Sequence, residues 1–174
     1  SYSPSLTSKI GATINPLIEG ANKSAMDAYN AKNYTAAAPK FKEVYDLLKA
    51  AGQDNKQYLY YSGLNYALAG NKEEAITVYN DLINSGYTGV QTNYVAKNKK
   101  TGEIEPLDKT TWDLNKKMGA ASEYTDFKTD NTKSVESDLY ETNAALLIEA
   151  KRGDEALALI EKGLKNKGID FRFF

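Results

Sequence analysis

Residues 67–83 read ALAGNKEEAITVYNDLI, and the same pattern recurs twice elsewhere in the chain. Residues 30–45 read NAKNYTAAAPKFKEVY, and residues 149–164 read EAKRGDEALALIEKGL. Each stretch has an alanine-bearing helix end, then a turn of Gly, Asn or Asp, and then a helix that opens into alanine with a bulky residue four positions later. The recurrence predicts repeated helix pairs.

Unit two, residues 56–85, has the clearest pattern. Gly70 is suited to a left-handed helix end, and Asn71 with Glu74 fits a capping box at the start of the next helix. The link is so short that we expect the two helices to be antiparallel neighbours. Apolar or small residues recur at helical spacing on both segments: Leu59, Gly63 and Tyr66 on the first, and Ala75, Val78, Tyr79 and Leu82 on the second.

Unit one, residues 15–51, begins at Asn15 and Pro16, which fit the N-cap and first position of a helix. Asn33 opens the partner helix, and Pro39 inside it predicts a kink or a late start near residue 38, because proline removes a backbone hydrogen bond. The expected inner faces are Ala21, Ala25, Ala28 and Tyr29, and then Ala37, Phe41, Val44, Tyr45 and Leu48.

Unit three, residues 134–167, repeats the pattern with a turn expected at Gly153 and Asp154. The two faces of this unit are predicted to pack against each other. They consist of Tyr140, Ala144, Leu147 and Ile148 before the turn, and Ala156, Leu159, Ile160 and Leu164 after it.

An insertion, residues 86–133, separates units two and three within the single domain of residues 1–174. YVAKN and EIE flank a lysine-rich turn closed by Gly102, which predicts a small β-hairpin. Leu107, Asp108 and Trp112 fit N′, N-cap and N4 of a short helix that ends at Gly119, with leucine and tryptophan as a hydrophobic staple. We expect residues 120–133 to form irregular surface loop.

These helix pairs resemble the tetratricopeptide repeat (TPR) family, which places a small residue where this chain has Ala25, Gly63 and Ala144. The family's alanine of the second helix matches Ala37, Ala75 and Ala156, and its later aromatic residue matches Phe41 and Tyr79 but is replaced by Ile160 in unit three. The resemblance implies an all-α fold of antiparallel helix-pair repeats in a right-handed superhelix, with the small β-hairpin/loop insertion added. The combination of these units with an insertion that contains GYTG and the YVAKN–KKTGE hairpin, followed by SVESDLYETNAALL, resembles bacterial cell-envelope TPR proteins. That resemblance implies a periplasmic or envelope location and membership of a larger assembly. Cytoplasm is the alternative location.

The composition narrows the function classes. There is neither cysteine nor histidine, so thiolate nucleophiles, the usual zinc ligand sets and the commonest general base are excluded. We therefore expect neither catalytic activity, nor a cofactor, nor a metal site. The formal net charge of −1 offers no basic field for nucleic acid, and no apolar stretch is long enough to span a membrane.

A non-catalytic scaffold that binds a protein or peptide partner is the predicted function. TPR-like stacks bind partners on the concave face lined by the first helix of each pair. The matching positions are Asn22, Met26, Tyr29, Asn30, Tyr60, Tyr61, Leu64 and Glu141. Tyr60 is the first choice as an anchor, although such tyrosines more often pack between units.

The alternative function is a small-ligand or glycan-binding helical-repeat module of the bacterial cell envelope. A closed aromatic pocket that contained Trp112 and several tyrosines would favour it. Trp112 could stack on a sugar, but it could also cover a small core of the insertion.

Overall fold

The computed structural model describes residues 4–171, with side chains described from residue 13 onward. It is mostly helical and carries one small three-stranded antiparallel sheet. Within residues 4–171 there are seven α-helices and three strands. They are α1 Pro4–Asn30, α2 Tyr34–Ala50, α3 Lys56–Leu68, α4 Lys72–Asn84, β1 Thr92–Asn98, β2 Ile104–Leu107, α5 Lys109–Met118, β3 Tyr124–Asn131, α6 Glu136–Glu149 and α7 Gly153–Lys167.

The chain divides into two compact units. The helical unit comprises Ser1–Tyr87 and Glu136–Phe174, and the sheet unit comprises Thr88–Val135. In the described part of the chain, every helix falls short of the combined length and apolar character that a bilayer crossing requires.

In the helical unit, each helix packs on the next: α1 on α2, α2 on α3, α3 on α4, α4 on α6 and α6 on α7. The predicted inner faces of α2 and α4 are confirmed, since their apolar side chains are buried. Gly63 of α3 lies at a close approach to α4, because a Cβ atom there would lie 2.9 Å from Cγ1 of Val78. Because Gly63 has no side chain, the backbone of α3 can contact the side chain of Val78 on α4.

The start of α1 differs from the sequence expectation. The helix begins at Pro4, and Pro16 lies inside it instead of at its first position. The sequence places Leu6, Ile10, Ile14 and Ile18 at intervals of four, a spacing typical of a helix that continues through this region. One missing backbone hydrogen bond at Pro16 does not outweigh that continuity.

The start of α2 also corrects a prediction. A late start near residue 38 is wrong, because α2 begins at Tyr34 and contains Pro39. Asn33 accepts a hydrogen bond from the Ala36 N–H at 3.1 Å, which caps the first turn. Ala37 and Ala38 are fully buried in that turn. Capping and burial together stabilise the segment before the proline.

The turns between paired helices confirm one prediction and correct two. Gly70 has a φ of +77°, the left-handed conformation predicted for it. The capping box at Asn71 is wrong, because the Asn71 side chain makes no cap hydrogen bond. In unit three the turn lies at residues 150–152, and Gly153 and Asp154 already belong to α7.

Two residues of the predicted inner faces of unit three point outward. Ile148 is 48% exposed and Leu164 is 52% exposed, whereas Tyr140, Ala144 and Leu147 are buried as predicted. Within the part of the chain that the structure describes, the extensive helix contacts of α7 are with α6, so one side of α7 is covered. The apolar pattern of a helix thus overstates its buried face when few neighbours pack on it.

The sheet unit has the strand order β2-β1-β3. The predicted hairpin is confirmed, since β1 pairs antiparallel with β2 from Tyr94↔Leu107 to Lys97↔Ile104. The irregular loop predicted for residues 120–133 is wrong, because β3 pairs with β1 from Thr92↔Asn131 to Asn98↔Tyr124. The strand that pairs with β3 lies about thirty residues earlier in the sequence, so no local pattern predicts the pairing.

Helix α5 supplies the small core of the sheet unit. Asp108 caps it as predicted, by accepting a hydrogen bond from the Thr111 N–H at 2.9 Å. Trp112 is buried, and its ring centroid lies 5.4 Å from that of Tyr94 and 5.7 Å from that of Phe127. Its indole N–H donates to the Val95 carbonyl at 3.1 Å. Trp112 therefore covers the core of its own unit.

Candidate functional site

An apolar cavity of about 250 Å³ lies where α1, α2 and α3 meet. We call it the Tyr61 pocket. Its walls are Met26, Tyr29, Phe41, Tyr61, Leu64 and Asn65. Four of the eight residues predicted to contact a partner are therefore brought together around one cavity: Met26, Tyr29, Tyr61 and Leu64.

Aromatic rings form the floor and one wall of the pocket. Phe41 is buried, and its ring centroid lies 5.5 Å from that of Tyr61 and 6.4 Å from that of Tyr29, both in edge-to-face geometry. The Gln57 side-chain amide donates to the Tyr61 hydroxyl at 2.5 Å. These contacts hold the rings in place, so the cavity is preformed by packing.

The rim of the pocket exposes apolar surface. Met26 is 41% exposed and Tyr29 is 40% exposed, although both line the pocket together with the buried Phe41. Methionine adapts its shape to irregular surfaces, and tyrosine offers a rigid ring with a polar tip. The combination is suited to contact with an apolar side chain of another molecule.

Asn65 adds one polar group to the pocket wall. It is 1% exposed, and its amide Nδ2 donates to the Tyr61 carbonyl at 2.8 Å. Its Oδ1 has no hydrogen-bond partner within the described residues. Buried polar atoms are nearly always paired, so an unpaired acceptor in the wall of a cavity is unusual.

The sequence pattern missed two of these residues as site residues. Phe41 was assigned to the core alone, and Asn65 received no role. The spacing does contain a signal for Asn65, since it stands one helical turn after Tyr61 and therefore shares its face. Phe41 carried no such signal, because only the packing of three helices places its ring beneath the pocket.

Tyr60 lies beside the pocket and not in its wall. It is half-buried, with its ring centroid 6.2 Å from that of Tyr61 and 6.1 Å from that of Tyr87. Burial raises the pKa of Tyr60, and the carboxylate of Asp138 on α6 raises it further. Tyr60 therefore links the aromatic residues of α3 to the acidic start of α6.

The remaining predicted partner contacts are spread over two helices. Asn22 is half-buried on α1, Asn30 is the exposed last residue of α1, and Glu141 is half-buried on α6. None of the three lines the Tyr61 pocket.

A second groove, of about 560 Å³, runs along α2, α3 and α4. Its lining is rich in charge, with Lys42, Lys49, Lys56, Asp46, Asp54 and Asp81 among its residues. Several of these charges satisfy one another, since Lys42 pairs with Asp46 and Lys56 with Asp54. Four of these six charged side chains are therefore paired with each other, so the groove offers a partner little uncompensated charge.

Alkaline pH should destabilise the fold through Tyr79. Burial raises the pKa of Tyr79 above its ordinary value of 10.0, and Tyr60 and Asp138 nearby raise it further. Between that ordinary value and the raised one, the unfolded chain has released a proton that the folded chain retains. The free energy of unfolding should therefore fall as pH rises above about 10. Urea titrations followed by circular dichroism, from about pH 8 to about pH 11.5, measure the free energy of unfolding. This free energy should fall less steeply with pH in Tyr79→Phe than in the unaltered protein. An equal slope in both proteins would contradict this assignment.

Comparison of the chain with protein-family models, curated proteins and solved structures gives no match. The candidate site therefore stands on its own geometry: a preformed aromatic cavity, an exposed apolar rim and one unpaired buried acceptor.

Proposed function

We propose that this chain is a non-catalytic protein-interaction scaffold, a TPR-like helical stack that binds a peptide segment of a partner in the Tyr61 pocket. The observation that carries the proposal is the pocket itself, where Met26 and Tyr29 remain exposed around a cavity with the buried ring of Phe41 in its lining. Pockets of this kind take the bulky apolar anchors of peptides and helices.

The repeated packing of paired helices supports the TPR-like part of the proposal. Successive helices contact one another in chain order, and Gly63 stands at a close approach in the position where the TPR family places a small residue. Helices α1 and α3, which line the pocket, would then be the first helices of units one and two. Their shared surface is the one that such stacks present to partners.

The composition supports a scaffold over an enzyme. Without histidine or cysteine, the side chains whose ordinary pKa values lie closest to neutral pH are carboxylates. The walls of the Tyr61 pocket carry no carboxylate. The lining is therefore suited to binding an apolar group and lacks the carboxylates that acid–base catalysis would use.

The test is a selection of twelve-residue peptides from a random display library, with Met26→Lys as the disabled variant. A lysine at the rim places charge beside an apolar cavity and should lower the affinity of selected peptides at least about tenfold, which corresponds to roughly 1.4 kcal/mol. The measurement is isothermal titration calorimetry, after circular dichroism shows that the variant is folded.

The matched control is Leu157→Lys, because Leu157 is also an exposed apolar residue on a helix, at 57% exposure, and lies on α7 away from the pocket lining. Peptides should bind this control as they bind the unaltered protein. Amide shifts of α1 and α3 in NMR spectra should report the peptide. Equal loss in both variants, or shifts confined to other elements, would argue against the pocket.

A location in the bacterial cell envelope, within a larger assembly, is proposed on the TPR resemblance alone. Fractionation of the native source with an antibody against this chain tests it, and recovery of the protein only with the cytoplasmic fraction would contradict it.

A further inference from the structure

Two buried side-chain polar atoms in the described part of the chain lack a hydrogen-bond partner, the Oδ1 atoms of Asn65 and Asn143. Both side chains use their amide nitrogens. Asn65 donates to the Tyr61 carbonyl at 2.8 Å, and Asn143 donates to Oδ1 of Asn80 at 2.7 Å. Asn65 lines the Tyr61 pocket, whereas Asn143 does not. An occupant of the pocket therefore packs beside a side chain whose acceptor is unused.

An unpaired acceptor in an apolar cavity favours an occupant with a hydrogen-bond donor. The Tyr61 hydroxyl in the same lining already accepts from the Gln57 amide at 2.5 Å. A buried acceptor without a partner carries the full cost of its lost hydration, and a hydrogen bond made in apolar surroundings is stronger than one made in water. A donor on the occupant removes that cost, whereas a hydrocarbon occupant leaves Oδ1 of Asn65 unpaired.

The burial of Asn65 restricts where that donor can lie. Asn65 is 1% exposed, while Met26 and Tyr29 at the rim are 41% and 40% exposed. A donor on the partner backbone would stay at the rim, so the donor that reaches Asn65 belongs to the far part of an inserted side chain. Lysine would have to bury its charge in an apolar cavity. Tryptophan and tyrosine instead carry one N–H or O–H on the outer part of a rigid ring.

The size and the walls of the pocket are suited to one aromatic ring. Its volume of about 250 Å³ lies below the roughly 300–1,000 Å³ of pockets that hold drug-sized ligands. The rings of Phe41 and Tyr61 meet there edge to face, with centroids 5.5 Å apart. A third ring can pack on such a pair in the same geometry. A single ring with a donor therefore matches the volume, the aromatic walls and the unused acceptor.

We propose that the partner segment inserts a tryptophan or a tyrosine into the Tyr61 pocket and that the ring N–H or O–H donates to Oδ1 of Asn65. This inference rests on the proposed function and specifies the anchor residue. Asn65 is then the residue that determines specificity, because leucine, methionine and phenylalanine can fill the cavity but leave its Oδ1 unpaired.

The first experiment compares the anchors that three forms of the protein select from a random twelve-residue display library. They are the unaltered protein, Asn65→Leu, which removes the acceptor at similar size, and Asn143→Leu. The last is the matched control, because Asn143 is also buried with an unpaired Oδ1 but lies outside the pocket lining. The unaltered protein and the control should enrich Trp and Tyr at least about threefold over Phe, Leu and Met. Asn65→Leu, once circular dichroism shows it folded, should lose that preference.

A selected tryptophan peptide and its benzothienylalanine analogue isolate the hydrogen bond, because the analogue keeps the shape of indole and replaces its N–H by sulfur. For a tyrosine peptide, the phenylalanine analogue serves the same purpose. Calorimetry should show that the analogue binds the unaltered protein and Asn143→Leu at least about fivefold more weakly than the parent peptide. Asn65→Leu should bind the two peptides equally. In NMR spectra of the unaltered protein, the Asn65 side-chain amide signals should shift more with the parent peptide than with the analogue.

The outcomes separate this inference from the function on which it rests. Selection of Leu, Met or Phe over Trp and Tyr, or equal binding of parent and analogue by the unaltered protein, would overturn the inference and leave the pocket as the binding site. A difference between the peptides that persists in Asn65→Leu would also overturn it, because another group would then accept the hydrogen bond. If Asn65→Leu does not fold, the analogue and the NMR shifts decide the question in the unaltered protein. Failure to enrich any peptide would count against both proposals.

Discussion

Replacement of Trp112 by alanine should unfold the sheet unit and leave the helical unit folded. Trp112 is 8% exposed, stands between Tyr94 and Phe127, and donates its indole N–H to the Val95 carbonyl of the central strand. Truncation of a buried tryptophan costs about 3–5 kcal/mol. A small unit with few other buried residues has little stability beyond that cost.

Hydrogen exchange followed by mass spectrometry tests this prediction, because it measures amide protection separately in each segment of the chain. Amides of residues 92–131 should lose protection in Trp112→Ala, while those of α2, α3 and α4 should keep it. Leu114→Ala is the matched control, because Leu114 lies on the same helix but is 59% exposed. Its effect should stay within about 0.5 kcal/mol. Protection retained throughout the sheet unit of Trp112→Ala would contradict the central role of this residue.

Replacement of Gly63 by alanine should destabilise the helical unit by about 1–3 kcal/mol, although alanine is the better helix former. The new Cβ would lie 2.9 Å from Val78 Cγ1 and 3.7 Å from the Tyr79 ring. Both neighbours are buried, so neither side chain moves away without disturbing the packing of α3 on α4. Urea unfolding followed by circular dichroism at the helix band measures the change.

Gly20 provides the opposite control. It also lies inside a helix, but a Cβ atom there would meet nothing within 4 Å. Gly20→Ala should therefore stabilise the protein by about 0.5–1 kcal/mol through helix propensity. In the double variant Gly63→Ala with Val78→Ala, removal of Cγ1 should recover part of the loss, so that the two single effects do not add. If Gly20→Ala and Gly63→Ala changed the free energy of unfolding in the same direction, contact with Val78 would not be the cause of the Gly63 effect.

Part of the pocket lining could be predicted from the sequence. The TPR resemblance implied the positions on α1 and α3 that include Met26, Tyr29, Tyr61 and Leu64. Residues three apart on a helix share a face, so Met26 lies beside Tyr29 and Tyr61 beside Leu64. Tyr60, the first choice as an anchor, stands next to the pocket instead. Adjacent residues of a helix point about 100° apart, and only the packing of α2 decides which of the two tyrosines lines a cavity.

Features that depend on neighbours a few residues apart can be predicted from the sequence. The helices of residues 56–68 and 72–84, the hairpin and the Asp108 cap arise from side-chain period, turn glycines and capping groups, which act within one or two turns of chain. Features that join distant residues appear only in the tertiary structure. Three features are of this kind: β3 pairs with β1, α1 and α2 continue past Pro16 and Pro39, and three helices meet around Phe41. All three depend on burial, which outweighs local conformational preference once distant segments pack together.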